Sequence, residues 1–405
     1  MQKTVIKKAV KANLEWFRKS GVMLPSDGSW GVAERIVITP GNEALDKIYS
    51  HFPAWTPHDG WSVIEQRRAD CNFEAALMFF LAYEAFQDRR DYETGGSLLD
   101  FLYFRSGLLN RNLEAYPAGS WRWSHARWTP TIWFDDNGWN AVIQLILGRR
   151  YPELNARYDM IGWGLKLADS LLEGFNRAFR SSLPGRPDQW ADPTGAWTGR
   201  LQLPHWGSLV GLALTLAHQV SPKPGYAEAV ERYHLYLAEK PGAFNASEQA
   251  YALIGASWAA KVFDHPLYHE LTAVLGDALE ARMDPETGNI PAEHFEAPVG
   301  PHLADTIYTV NWALLGFQNR AALTGRRADR SAFEKLLKLV TDIQDQTPEA
   351  HVKGCWRGMY DLKRKQWGGG DCFEGGANSL YSGWTNAPIT WCLLMRWMDR
   401  SLLDG

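Results

Sequence analysis

The sequence predicts an all-α fold, a single (α/α)6 barrel of six helical hairpins, on three observations. Strand signals are scarce. Two kinds of helical segment recur, one amphipathic with many charges and one apolar on almost every side. They alternate six times, with spacing too uneven for the fixed repeat of a solenoid. We therefore expect residues 1–405 to form one toroidal catalytic domain, with an inner ring of helices surrounded by an outer ring.

The amphipathic segments are the expected outer helices, because each carries one apolar stripe. They cover residues 3–19, 92–107, 154–180, 225–239, 266–283 and 330–346. A helix that is apolar on every side has to be surrounded by protein. The expected inner helices therefore contain residues 75–85, 141–148, 209–217, 250–260, 307–317 and 389–398.

The composition is that of an ordinary folded protein, with 45% hydrophobic and 22% charged residues and a net charge of −4. It excludes disorder and argues against nucleic-acid binding. The N-terminus lacks the apolar core of a signal peptide, and no stretch of about 18 apolar residues could span a membrane. The four cysteines lack metal-ligand spacing. These features predict a cytoplasmic protein with reduced thiols, without a metal or other cofactor.

Aromatic residues are unusually frequent, with 20 Trp, 15 Tyr and 17 Phe in 405 residues. Such rings fill a core or line a cleft that stacks on sugars. Many of them crowd the long segments that precede the inner helices. These segments meet at one end of the predicted ring, where the helix N-termini supply positive dipole ends. We therefore expect the site at this end, with an oligosaccharide as its ligand; the oligomeric state stays open, a homo-oligomer included.

The segments before the first two inner helices hold the densest groups of candidates. The first carries Glu65, Arg67, Arg68, Asp70 and Glu74. It is either a helix cap with solvated charges or an acid beside arginines that bind an anionic substrate. Two adjacent carboxylates in apolar surroundings raise one pKa, which keeps a general acid protonated near neutral pH. The second segment has this pattern, with Trp121, Trp123, His125, Arg127, Trp128, Trp133, Asp135, Asp136, Asn137 and Trp139.

The later segments contribute fewer candidates each. Asn245 and Glu248 have the spacing of a capping box, which we favour over a catalytic role. The histidines between residues 293 and 305 lack the spacing of a metal site. The other candidates are His205 and Trp206 before the third inner helix, His294 and His302 before the fifth, and Arg357, Asp371, Glu374 and Trp384 before the last.

Four features of the chain resemble the six-hairpin glycosidases. They are the DGSWG segment at residues 27–31, the Arg68-Ala-Asp70 motif, the DDNGWN segment at residues 135–140 and the alternation of helices. The Asp135–Asp136 pair resembles that of family 76 endo-α-mannanases. The spacing from Asp70 to Asp136 is similar to that of unsaturated glucuronyl hydrolases of families 88 and 105. The glycine-rich C-terminal segment aligns with neither group, which points to a separate, uronate-specific branch.

The resemblance implies that Asp136 is the main acid/base, with Asp70 as its partner and Asp135 beside it. We expect a glycosidase that cleaves uronic-acid-containing oligosaccharides, of the glucuronidase or unsaturated glucuronyl hydrolase type. The substrate carboxylate would bind to Arg67, Arg68, Arg127 or Arg357. Sugar rings would stack on Trp123, Trp128, Trp139 and Trp384. The other substrate-binding candidates are His125, Asn137, His205, Trp206, His302, Asp371 and Glu374.

Two alternatives stay open. N-acylglucosamine 2-epimerases share the fold and the length, and they use histidines on inner helices. His205, His294 and His302 keep this alternative open, and it extends to cellobiose epimerases. A non-catalytic sugar-binding protein would use Asp70 and Asp136 only as helix caps.

Overall fold

The computed structural model describes residues 1–38, 54–126, 131–179, 190–293, 300–368 and 376–404. Most of them lie in helices. In chain order these are α1 (Lys3–Lys19), α2 (Ala69–Phe86), α3 (Arg89–Asp100), α4 (Phe134–Arg150), α5 (Pro152–Tyr158), α6 (Met160–Ala178), α7 (Pro204–Val220), α8 (Pro224–Glu239), α9 (Ala246–Phe263), α10 (Pro266–Arg282), α11 (Val310–Thr324), α12 (Arg327–Ile343) and α13 (Ala387–Trp397).

Six of these helices form a closed inner ring. Going around the ring, α2 contacts α4, which contacts α7, and the contacts continue through α9, α11 and α13 back to α2. Each inner helix also packs against an outer helix, in the pairs α13–α1, α2–α3, α4–α6, α7–α8, α9–α10 and α11–α12. The first helix of the chain thus completes the last hairpin. The predicted all-α fold, an (α/α)6 barrel, is confirmed.

The inner helices are buried on all sides, as their apolar sequences predict. In α4 every residue from Phe134 to Gly148 is buried. Small residues let neighbouring helices of the ring approach closely. A Cβ on Gly138 would lie only 2.9 Å from the carbonyl oxygen of Leu209 on α7. Glycine is therefore needed where α4 crosses α7.

The outer helices bury a single stripe. In α12 the buried residues recur at helical spacing, among them Phe333, Leu336, Leu337 and Val340, while Arg326, Arg330 and Lys338 stay exposed. This spacing of three and four residues places the apolar side chains on one face of the helix. That face packs against α11.

The connections differ in length at the two ends of the barrel. The connections that follow inner helices are short, namely residues 87–88, 151, 221–223, 264–265 and 325–326, whereas the long segments 20–68, 106–133 and 344–386 precede inner helices. The long connections therefore gather at the N-terminal ends of the inner helices, as expected. The segment before α9 is an exception, because only residues 240–245 separate it from α8.

Two small antiparallel sheets, which the sequence analysis did not predict, lie in the long connections. One has the order β2 (Trp55–His58), β3 (Trp61–Ile64), β1 (Arg35–Ile38), β8 (Ser379–Tyr381). The other has the order β4 (Pro291–Ala292), β5 (Gly300–Asp305), β6 (Met359–Asp361), β7 (Gln366–Trp367). The pairing of Arg35 with Tyr381 joins the connection before α2 to the one before α13.

Two further features concern the described residues alone. None of the helices described has an apolar stretch long enough to cross a membrane. Cys71, Cys355 and Cys392 are buried and unpaired; Cys372 lies outside the described residues.

Candidate active site

Arg68 lies at the centre of a buried cluster of carboxylates at the N-terminal end of the inner ring. Its guanidinium donates from Nε and Nη2 to Asp70, at 3.1 and 2.6 Å, and from Nη2 to Asp136, at 2.8 Å. Its Nη1 donates to Glu34 at 2.9 Å. Asp70 lies in the first turn of α2 and Asp136 in the first turn of α4. One guanidinium thus joins two neighbouring inner helices to the residue that precedes β1.

Glu34 reaches this cluster because the first sheet holds the chain beside it. Its backbone N–H donates to Gln66, and its carbonyl accepts from Ser382. The side chain is fully buried between Arg35 and Arg68. Burial alone would raise the pKa of Glu34, but the two arginines lower it below its ordinary value. Glu34 therefore stays charged and neutralises part of the charge of Arg68.

Asp70 and Asp136 form the acid pair of the site. Both are buried, and their carboxyl groups are in hydrogen-bond contact. Burial raises the pKa of Asp136 well above its ordinary value in spite of Arg68, and the charges of Asp70 and Asp135 raise it further. The arrangement thus favours a protonated carboxyl at Asp136, in contact with the carboxyl of Asp70.

Trp384 lies against this pair in a strained backbone conformation, with φ of 41° and ψ of −42°. Its indole Nε1 donates to Asp70 at 2.6 Å, and its backbone N–H donates to Glu74 at 2.7 Å. Asp70 and Glu74 are one turn apart on α2 and face the same side. Burial, together with the charge of Asp70, raises the pKa of Glu74 well above its ordinary value.

A second group of titratable residues lies on the neighbouring inner helices. His205, in the first turn of α7, bonds through Nδ1 to Glu248, and its backbone N–H donates to the same carboxylate at 2.8 Å. Burial alone would lower the pKa of His205, but Glu248 and Asp135 raise it above its ordinary value. Burial raises the pKa of Asp135, against the effect of His205 and Arg68. Asp135 thus lies between the acid pair and this histidine.

Half-buried tryptophans surround the cluster. Trp123 and Trp384 both lie against the guanidinium of Arg68, with ring centres 5.3 and 5.4 Å from its central carbon. The rings of Trp133 and Trp206 are nearly parallel, 6.4 Å apart, and Trp123 meets Trp133 edge-on. This row of rings runs from Arg68 to His205, beside Trp206. Such faces suit stacking on the C–H faces of sugars.

Beneath the carboxylates, side chains from four inner helices meet in the barrel interior. Trp139 stacks on Trp312, which in turn contacts Tyr251 and Trp384. Burial raises the pKa of Tyr251, and the charges of Asp135, Glu248 and Glu74 raise it further. Within the described part of the chain, the following buried polar atoms here lack a hydrogen-bond partner: Glu74 Oε1, Asp135 Oδ1, Asp136 Oδ2, Trp139 Nε1, Tyr251 Oη and Trp312 Nε1.

Several residues that were predicted to bind the substrate instead form hydrogen bonds within the protein. Arg67 donates to Glu65 at 2.6 Å and to the carbonyl of Trp30 at 3.3 Å. The Nδ1 atom of His125 accepts from the backbone N–H of Arg67. The amide of Asn137 is used by backbone groups of Trp121 and Trp133. Arg67 and Asn137 therefore act in the structure as internal braces rather than as groups open to a ligand.

Other predicted residues are separated from the acid pair or are not described. Trp139 is 2% exposed and forms part of the barrel interior, not of the entrance. His302 lies in β5, 3.9 Å from Asp361, and Arg357 donates to Asp345. No contact joins His302 or Arg357 to Arg68 in the described ranges. Arg127, Trp128, His294, Asp371 and Glu374 lie outside the described residues.

Four residues of the candidate site were not predicted from the sequence: Glu34, Glu74, Glu248 and Tyr251. Glu34 precedes a short strand that was not predicted. Glu74 was noted only as a charge next to Arg68, although its four-residue spacing from Asp70 indicates the same face of a helix. Glu248 was assigned to a capping box, but only Asn245 caps the helix, and Glu248 binds His205. Tyr251 lies in an apolar helix and gave no separate signal.

The side chains that could bind a metal do not form a metal site in the described part of the chain. Among the described residues, no three His, Cys, Asp or Glu side chains are arranged to hold a metal ion. The carboxylates of the cluster instead bind Arg68.

No protein-family model matches the sequence, and no curated protein is significantly similar to it. Solved structures are similar over nearly the whole chain. Cellobiose 2-epimerase from Spirochaeta thermophila DSM 6192 is 13% identical, with a TM-score of 0.64, covering 98% of this chain and 96% of that one. Unsaturated glucuronyl hydrolase from Bacillus sp. GL1 is 14% identical, with a TM-score of 0.60 and coverage of 96% of both chains.

A third similar structure is an α-1,6-mannanase of Salegentibacter sp. HEL1_6 in complex with α-1,6-mannotriose. It is 11% identical, with a TM-score of 0.56 and coverage of 98% of both chains. The protein in that structure is an inactive variant in which two consecutive aspartates are replaced by asparagine. At these identities the similarity concerns the fold. The chain therefore shares the (α/α)6 fold of these structures.

Proposed function

We propose that the protein is a glycoside hydrolase that cleaves oligosaccharides, with the 405 residues forming one catalytic domain. The observation that carries this proposal is the buried Asp70–Asp136 pair. It combines a carboxyl group whose pKa is raised with a neighbouring carboxyl that accepts several hydrogen bonds. Glycosidases act through two Asp or Glu carboxyl groups, one of which is a protonated acid.

The hydrogen bonds of the pair support different roles for its two members. Asp70 accepts from Nε and Nη2 of Arg68 and from the indole of Trp384. Asp136 accepts from Arg68 through Oδ1 only, and its Oδ2 has no partner among the described residues. Donors stabilise the charged form of a carboxyl group. Asp136, with its raised pKa and fewer donors, is therefore the proton donor in this proposal, and Asp70, with three donors, is the acceptor.

The proposed reaction follows from these roles. Asp136 donates its proton to the glycosidic oxygen while the bond from this oxygen to the anomeric carbon breaks. Asp70 stabilises the positive charge that develops on the sugar ring. Water then adds its oxygen to the anomeric carbon, and its proton returns to the carboxyl pair. The net reaction adds one water molecule across the glycosidic bond.

The surroundings of the pair suit a sugar. The unpartnered polar atoms beneath it are carboxyl, indole and hydroxyl groups, which pair with sugar hydroxyls. The tryptophan row beside it offers stacking faces. The inactivation of the similar mannanase by replacing two consecutive aspartates also supports a role for the Asp135–Asp136 pair.

The experiment is a panel of neutral and uronic oligosaccharides incubated in H2¹⁸O, with the products followed by mass spectrometry. Hydrolysis predicts shorter fragments that carry one ¹⁸O at the new reducing end. Substrates that bind but stay intact would favour the non-catalytic alternative and contradict the proposal.

A sugar 2-epimerase is the second candidate, and the observation that favours it is the His205–Glu248 pair. A histidine held by a carboxylate, with its pKa raised, can exchange a proton with a sugar carbon. Epimerisation in D2O would place deuterium at C2 of the sugar and leave the chain length unchanged. Hydrolysis would break the chain without labelling C2. The two reactions are therefore distinguished in a single incubation.

A further inference from the structure

The arginine nearest the acid pair is fully occupied by the protein itself. Arg68 binds three carboxylates, those of Glu34, Asp70 and Asp136, and it is only 7% exposed. Recognition of a substrate carboxylate by arginine needs N–H donors that face the ligand. Here the donors point at the protein's own acids. Arg68 therefore holds the catalytic carboxylates in place and is not a receptor for an anion.

The two arginines beside it are committed in the same way. Arg67 is 3% exposed and donates to Glu65 and to the backbone of Trp30. Arg35 is also 3% exposed, lies next to Glu34, and covers the ring of Tyr381 at 4.1 Å. A substrate carboxylate could bind either arginine only by displacing an internal partner, which for Arg35 is the fully buried Glu34.

The helix N-termini, which otherwise attract anions, also face acids of the protein. Asp70 occupies the first turn of α2, and Asp135 and Asp136 occupy that of α4. The backbone N–H of His205, at the start of α7, donates to Glu248. The positive ends of these helices are thus compensated internally.

The unpartnered polar atoms in the barrel interior also bear on the charge of the substrate. Three of them are carboxyl oxygens, of Glu74, Asp135 and Asp136, and the others belong to indole and phenol groups. Carboxyl, indole and phenol groups all pair with sugar hydroxyls, and any of these acids that carries its charge repels a carboxylate. The interior therefore offers partners for a polyol but, among the described residues, no uncommitted cation for an anion.

From these contacts we propose that the reacting sugar is neutral, with a hydroxyl or hydroxymethyl group where a uronate has its carboxylate. This inference rests on the proposed function and departs from the uronic-acid substrate that the sequence resemblance implies. The site selects against uronates because an added carboxylate would be buried beside Asp70, Asp135, Asp136 and Glu74, where the described residues offer no cation that is not already paired.

The test compares substrates that differ only at C6. For each neutral oligosaccharide that is cleaved, the primary alcohol of the reacting sugar is oxidised to the carboxylate, and kcat/KM is measured for both forms. We expect the carboxylate form to be at least about 100-fold poorer, because it buries a charge beside these acids with no uncommitted cation among the described residues. Since those acids are buried, the ratio should persist at high salt.

Equal or better cleavage of the carboxylate form would overturn the inference. In that case Arg127→Ala would show whether this arginine, outside the described residues, supplies the missing cation. If the preference for the neutral substrate disappeared at high salt, it would come from surface charge, and this result would also contradict the inference. Where no sugar is cleaved, the proposed hydrolase function fails, and calorimetric titration of the same pairs still tests the preference. The neutral oligosaccharide must then bind more tightly than its oxidised form. Tighter binding of the oxidised form, or no binding of either form, overturns the inference.

Discussion

The indole Nε1 of Trp384 lies 2.6 Å from Oδ2 of Asp70, and the backbone of the same tryptophan is strained, with φ of 41°. The strain persists because the backbone N–H of Trp384 also binds Glu74, one turn further along α2. The segment before α13 is thus fixed to α2 by two carboxylates. This contact places the ring against both Arg68 and the barrel interior.

Trp384→Phe removes the indole donor and keeps an aromatic ring. The indole N–H favours the charged form of the carboxyl group that it binds, so its removal should favour the protonated form of the Asp70–Asp136 pair. We expect kcat for hydrolysis to fall by about 10-fold, with the pH–rate profile moved to higher pH. The pH dependence of kcat measures this. An unchanged profile would show that Trp384 only fills space.

Gly383→Ala tests how closely the backbone next to Trp384 approaches α2. A Cβ at Gly383 would lie 2.2 Å from Oε2 of Glu74 and 2.7 Å from the Cα of Cys71. The backbone would have to move, and we expect the free energy of unfolding to fall by about 1–3 kcal/mol. Urea denaturation measures it. The matched control is Gly242→Ala, where a Cβ would meet no atom within 4 Å; equal effects of the two substitutions would contradict the close contact.

Glu74→Gln should change how stability depends on pH. The folded protein holds the proton of Glu74 above the pH at which an unfolded chain releases it, because burial raises its pKa well above 4.5. Stability from this group is therefore greatest at low pH and is lost as pH rises above about 4.5. Glutamine does not titrate, so the loss of stability between pH 5 and pH 8 should be smaller in the variant by about 1 kcal/mol or more.

Urea unfolding at the two pH values measures that difference. The control is Glu93→Gln, a glutamate on the exposed face of α3 that binds Arg89. This substitution should leave the pH dependence as it is in the original protein. If the free energy of unfolding changes equally with pH in Glu74→Gln and in the original protein, the fold does not hold Glu74 protonated.

The fold could be predicted because burial determines helix composition in this architecture. A helix such as α9, rich in Ala, Gly and apolar residues on every side, has no stable place except inside a ring. The strands could not be predicted, because they span only two to six residues and form by pairing between distant segments, as Arg35 does with Tyr381.

Part of the candidate site could be proposed from the sequence, where a local pattern reflects a chemistry. Adjacent Asp135 and Asp136 at a helix start gave such a pattern. The role of Arg68 as a buried hub did not follow from sequence, since it depends on Glu34, Asp70 and Asp136 meeting in space. The same contacts separate Arg68 from any substrate carboxylate. Sequence spacing cannot distinguish an arginine that faces a ligand from one that braces the protein.

Asp136→Asn tests the central claim, that Asp136 is the proton donor of a hydrolase. Asparagine keeps the acceptor for Arg68 and removes the proton, so the variant should fold normally and lose about 10²- to 10⁴-fold in kcat. The control is Asp91→Asn, which replaces another buried carboxylate, bound to Arg18 in the outer layer. The measurement is the rate of ¹⁸O-labelled product formation, with circular dichroism to confirm folding. Loss in Asp136→Asn alone is the predicted result; near-normal turnover by a folded Asp136→Asn variant would contradict the account.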